Sequence, residues 1–118
     1  MDEREFKSMT RQLALNVIRI VEDLPRNRTA DVIGRQLLIA GTSVGANYRA
    51  ACRAKSRLDM QAKLAIVEEE SDEVIYWLEL LVDAKIVAQT AVNDLMTQAD
   101  SIVAMIVASI KTLRRAHA

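Results

Sequence analysis

The chain has 118 residues, sixteen basic and sixteen acidic, with a formal net charge of zero. Hydrophobic residues make up 51% and aromatics only 3%, with three glycines, one proline and one cysteine. This is enough material for one domain with a real core; it excludes a disordered chain, a β-rich fold starved of turn residues, and a disulfide scaffold.

The first helix is expected over residues 3–24. Phe6, Met9, Leu13, Val17, Ile20 and Leu24 recur at spacings of three and four, an apolar stripe. Pro25 removes an amide donor and disfavours helical geometry at Leu24, which ends the helix and leaves PRNR as connector. The segment MDEREFKSMTRQ has charges of both signs and no apolar signal core, so the expected compartment is the cytoplasm.

A second helix is expected over 29–54, capped by Thr29 with Asp31 in its first turn. Its stripe is Ile33, Leu37, Ala40, Val44, Tyr48 and Ala51. All three glycines, Gly34, Gly41 and Gly45, fall inside it. Each costs about 1 kcal/mol against alanine in a helix interior. Close approach of another helix, a bend at Gly45, or simple tolerance are the readings that remain open.

A third helix, 56–87, starts at the cap Ser56, and its stripe Met60, Leu64, Val67, Ser71, Val74, Leu78, Leu81 alternates four and three like a bundle seam. A fourth, 90–115, carries Leu95, Ala99, Ile102, Ile106 and Leu113, and ends on Lys111, Arg114 and Arg115. Four long helices with short connectors must alternate in direction, so the predicted fold is all-α: one antiparallel up-down-up-down four-helix bundle over 1–118. No run is apolar and long enough to span a bilayer.

The zero net charge hides a segregation. Residues 26–63 carry eight basic groups against two acidic ones, and residues 64–100 carry nine acidic groups against Lys85. Arg49 and Arg53 are four apart on the second helix, near Asn47; Glu69 and Glu73, with Glu70, stand likewise on the third. Antiparallel neighbours can bring the pairs together as a belt of Arg–carboxylate forks, within the chain or between subunits. The alternative is a solvated acidic face. Arg26, Arg28, Lys55, Arg57 and Lys63 are candidate phosphate contacts, alongside Arg49 and Arg53.

Catalytic chemistry finds little material. Cys52 and the serines have no histidine to activate them, because the single histidine is His117, near the end of the chain. A di-iron centre needs Glu-x-x-His from paired helices, which this chain lacks. The reading is a non-enzyme with no cofactor and no metal; acid–base or nuclease-like work by Glu69 or Glu73 is the weaker alternative.

The combination SVGAN, YRAACRAKS and IVEEESDEVIYWLELL, within residues 41–81, resembles the bacterial four helix bundle protein family. Its founding members are encoded by intervening sequences within large-subunit ribosomal RNA genes. The preceding LPRNRTADVIGRQLLIA is similar to that family's lead into the second helix. Many relatives have a proline where this chain has Gly45, and a glycine with two basic residues where it has Arg53-Ala54-Lys55-Ser56, so the chain is expected on a divergent branch. The resemblance implies an antiparallel bundle assembling as a homopentamer. It is also similar to accessory proteins of diversity-generating retroelements, whose basic barrels bind nucleic acid and a reverse transcriptase. The expected partners are therefore other copies of the chain and RNA, DNA or a nucleic-acid-binding protein, with no membrane. The competing expectation is a protein-interaction scaffold with no nucleic-acid role.

Overall fold

The computed structural model describes residues 2–117, with only the backbone of His117. The described residues form four helices: α1 (Glu3–Glu22), α2 (Arg28–Cys52), α3 (Arg57–Asp83) and α4 (Gln89–His117). Among the described residues each helix packs only on its neighbours around the bundle: α1 on α2 and α4, and α3 on α2 and α4. The bundle is 49 Å long and about 22 Å across. The all-α four-helix architecture is thus the one the periodicity predicts.

Three helices begin on a side chain that takes an orphan amide. Asp2 accepts from Glu5 N at 2.7 Å, Asn27 from Ala30 N at 2.9 Å, and Ser56 from Asp59 N at 3.0 Å. The second cap corrects the sequence expectation: Asn27, not Thr29, opens α2. An asparagine at this position is as good a cap as threonine, and it leaves Thr29 inside the first turn. At the third start, Asp59 also reaches back to Lys55 N at 3.0 Å, so both sides of the boundary are satisfied.

The α3 end falls earlier than expected, at Asp83 rather than near Val87. Lys85 takes a left-handed φ of 61°. That turn lets Lys85 N donate to Val82 O and Ile86 N to Leu81 O, both at 2.9 Å, the paired bonds that close a helix C-terminus. Ile86 then packs against the core as the hydrophobic partner of that motif.

The core stripes match the predicted ones on every helix. Phe6, Leu13, Val17, Leu37, Val44, Val67, Val74, Leu78, Leu81, Ala99, Ile102 and Ile106 are essentially without solvent exposure. Two buried hydroxyls are satisfied within their own helices: Thr10 donates to Lys7 O at 3.1 Å and Ser71 to Val67 O at 2.7 Å. Phe6 and Tyr48 meet edge to face, 4.4 Å between centroids.

The glycines of α2 all face α1. A Cβ built on Gly41 stands 2.8 Å from both Val17 methyls, on Gly34 2.9 Å from Leu24 Cδ1, and on Gly45 3.2 Å from Thr10 Oγ1. Close approach of α1, one of the three readings left open by the sequence, is what these positions do. The α1–α4 contact is the least extensive of the four, and it is bridged by a polar pair: Asn16 donates to Gln98 at 2.9 Å across it.

Candidate functional site

The basic residues predicted from sequence do not form one patch. Arg26 and Arg28 lie at one pole of the bundle, in and just after the α1–α2 connection. Arg53, Lys55 and Arg57 lie at the other, around the α2–α3 turn, together with the end of α4 that carries Lys111, Arg114 and Arg115. The full length of α2, 25 residues, or about 37 Å at 1.5 Å per residue, separates the two groups. Lys63 is held on its own helix by Asp59 at 2.6 Å, and that contact, with the Lys55 amide, holds the Asp59 carboxyl below its usual range.

The expected intrachain belt is not formed. Among the described residues the ion pairs are Lys7–Glu3 at 3.0 Å and Lys63–Asp59, each within a single helix. Neither Arg49 nor Arg53 pairs with a carboxylate of α3. The reason is rotational. Gly41, Gly45 and Arg49 form one i, i+4, i+8 row along α2, and that row lies on the α1 side. Asn47 projects elsewhere and donates to Ser43 O at 2.9 Å.

The α3 carboxylates have their own surroundings. Glu73 accepts from Trp77 Nε1 at 3.1 Å. Burial, followed by the charges of Glu73 and Glu69, pushes the Glu70 carboxyl above the usual glutamate range.

What α1 and α2 build together is a groove of about 620 Å³. Arg49 meets Lys7 and Arg11 along it. Ser8, Thr10, Ala14, Thr42, Gly45 and Ala46, all small side chains, complete its lining. The sequence reading missed Lys7 and Arg11, because they sit in a segment whose basic and acidic residues nearly balance. The available signal was their i, i+4 spacing, which places both on one face of α1. Three cations over a shallow, small-residue floor can receive an anionic backbone; of the three, Lys7 alone has an acidic partner among the described residues.

Burial pushes the Cys52 thiol above its ordinary range, which favours the unreactive protonated form. Among the described residues no three His, Cys, Asp or Glu side chains converge in a way that can hold a metal ion. The side chain of His117 lies outside the described residues. Among the described residues no helix is long and apolar enough to cross a membrane.

Comparison with known proteins agrees with this architecture. Residues 3–108 match the family model described as 23S rRNA-intervening sequence protein. A solved structure from Bacteroides thetaiotaomicron VPI-5482, a protein of unknown function from the S23 ribosomal protein family, is similar with a TM-score of 0.87 and 30% identity. The match covers 94% of this chain and 99% of that one. No curated protein shows significant similarity to the chain.

Proposed function

The chain belongs to the 23S rRNA-intervening sequence protein family, and from that premise we propose that it is a non-enzymatic, homo-oligomeric bundle, a homopentamer, that binds RNA or a ribonucleoprotein through repeated basic grooves. The observation that carries the reading is the meeting of Lys7, Arg11 and Arg49 along the α1–α2 groove. Phosphate contacts made by such side chains are independent of base sequence and release counterions, so affinity falls steeply with salt. The zero net charge of one chain is compatible with this, because an oligomer repeats the same local patch several times around its surface. The basic pole of Arg53, Lys55 and Arg57 extends the cationic surface past the end of α2.

The test is binding of a generic single-stranded RNA at about 50 and 200 mM salt, with the variants Lys7→Ala, Arg11→Ala and Arg49→Ala. Each variant is expected to weaken binding uniformly across sequences and to reduce the salt slope by about 0.7 for each phosphate it no longer neutralises. Absence of binding by the wild type at the lower salt refutes the proposal. That result supports the second reading, a protein-interaction scaffold, which the exposed Val32, Ile39 and Tyr76 favour.

A further inference from the structure

Two rows of side chains on the outer faces of α2 and α3 stand apart from the core seams. On α2, Arg28, Val32, Arg35 and Ile39 follow a four-three-four spacing, directed away from the core seam of Ile33 and Leu37. Val32 and Ile39 are 53% and 52% exposed, unusual for β-branched aliphatics. On α3, Ile66, Glu69, Glu73 and Tyr76 follow three-four-three, with Asp83 one heptad beyond Tyr76. Ile66 and Tyr76 are 40% and 53% exposed. Each helix thus carries a second heptad-spaced row on its outer side that mixes apolar residues with charge.

The charges on the two seams are opposite in sign and free of ion pairs. On α2 they are the arginines 28 and 35; on α3 they are Glu69, Glu73 and Asp83, and among the described residues none of these forms an ion pair. α2 against another α2 sets arginine on arginine, and α3 against another α3 sets carboxylate on carboxylate. α2 against α3 of a different copy sets opposite charges together.

We infer that these seams are the contact between copies of this chain, with the outer face of α2 on one protomer seated antiparallel on the outer face of α3 on the next. Height along the bundle supports the pairing. A closed assembly whose symmetry axis runs parallel to the helices keeps every residue at its own height and sets α2 antiparallel to the neighbour's α3. Counted from Cys52 back along α2 and from Arg57 forward along α3, Arg35 lies within one residue of the height of Glu73, and Val32 within one residue of that of Tyr76. Symmetry therefore brings a guanidinium to a carboxylate and an aliphatic side chain to an aromatic one. The α1–α2 groove lies on the other flank of α2 and stays open. The inference deepens the oligomeric part of the proposed function and rests on it.

The test is a charge swap read by size-exclusion chromatography with light scattering at about 10 μM protein, where assembly is set by mass action. The wild type is expected at a multiple of the 13.2 kDa chain mass. Arg35→Glu and Glu73→Arg alone are each expected to fall to the single-chain mass with unchanged far-UV circular dichroism, and the double variant in one chain to recover the wild-type mass. Glu73→Arg also removes the Trp77 acceptor, so Val32→Glu, on the exposed side of α2, serves as the independent disruption if that variant loses helicity. The inference is overturned by a wild type at the single-chain mass, by folded Arg35→Glu or Val32→Glu protein that keeps the wild-type mass, or by a folded double variant that stays at the single-chain mass. RNA affinity, measured on the same samples, separates the two proposals. An intact oligomer without salt-sensitive RNA binding sinks the RNA reading and leaves the seam standing; RNA binding with oligomers indifferent to the swap does the reverse.

Discussion

Substituting alanine for the three glycines of α2, one at a time, should give three different outcomes, although each adds the same methyl to the same helix. The common term is favourable: alanine in a helix interior is worth about 1 kcal/mol over glycine. The opposing term depends on what the methyl meets. At Gly34 it meets Leu24 Cδ1 at 2.9 Å, the far end of a flexible side chain near the helix terminus, which can rotate aside. At Gly45 it meets Thr10 Oγ1 at 3.2 Å, an atom anchored by its bond to Lys7 O. At Gly41 it meets both Val17 methyls at 2.8 Å and Val17 Cβ at 3.0 Å. A valine in a helix has one strongly preferred rotamer, so no rotation clears both methyls, and α1 itself must shift. Overpacking of that kind costs about 1–3 kcal/mol. Gly34→Ala is therefore expected to stabilise by up to about 1 kcal/mol and Gly45→Ala to be near neutral. Gly41→Ala should destabilise by up to about 2 kcal/mol net, or up to roughly 8 °C in Tm. Urea unfolding at a fixed protein concentration measures all three, with an unchanged slope confirming the same transition. The cycle with Val17→Ala is the sharper check. That change empties the space the new methyl needs, so the double variant should be more stable than the sum of the singles by about 1 kcal/mol or more. A Gly41→Ala protein as stable as Gly34→Ala, or an additive cycle, refutes the argument.

Three further outcomes follow from the helix ends and the acidic face. Asn27→Ala removes the side-chain acceptor of Ala30 N and should cost about 1 kcal/mol in chemical denaturation, while Thr29→Ala, inside the first turn, should cost much less. Lys85→Gly relieves a left-handed backbone at φ 61°; the gain should be up to about 1 kcal/mol, because relief of strain is partly offset by the freer unfolded chain. Glu70→Gln should raise Tm at neutral pH. The folded-state pKa of Glu70 is raised above the 4.5 of the free side chain, so the native state holds the proton more tightly, and stability falls as pH rises through that window. The advantage of glutamine should vanish below about pH 4, and an advantage that grows on acidification contradicts the sign.

The sequence determined the helices because core stripes and caps are local properties. Seven positions of α3 recur at four and three, and those at Leu64, Val67, Ser71, Val74, Leu78 and Leu81 are the ones the structure buries. The boundaries shifted where two residues compete for one job. Asn27 and Thr29 both suit a cap, and the pattern does not say which takes the amide. At the other end of α3, apolar Ile86 and Val87 look like helix interior but serve the closing turn after Lys85.

The site was harder to read than the fold, for a reason of handedness. A helical wheel separates the buried side of α2 from the exposed side, but not its left flank from its right. Four antiparallel helices can be arranged in either sense around the bundle, and the two arrangements exchange the flanks on which α1 and α3 lie. Arg49 was therefore equally available to the carboxylates of α3 and to α1. The glycines resolve the choice. A helix approaches closely where its neighbour meets no side chain, so the flank bearing Gly41 and Gly45 belongs to a close contact, and Val17 identifies that contact as α1. Arg49 is the next step in the same i, i+4 row and must lie on the same flank. Four residues later the row has drifted outward, since four residues turn slightly more than one full helical turn, and Arg53, at the cap of α2, falls outside the groove. The row that brings α1 close thus also decides which arginine joins Lys7 and Arg11, and it leaves Glu69, Glu70 and Glu73 without a cation inside their own chain. A glycine row that sets helix order from sequence should work in any bundle of this kind: alanine at Gly41 should weaken the salt-dependent RNA affinity by displacing α1, with Lys7 and Arg11, relative to Arg49, while alanine at Gly34, remote from the groove, leaves that affinity unchanged.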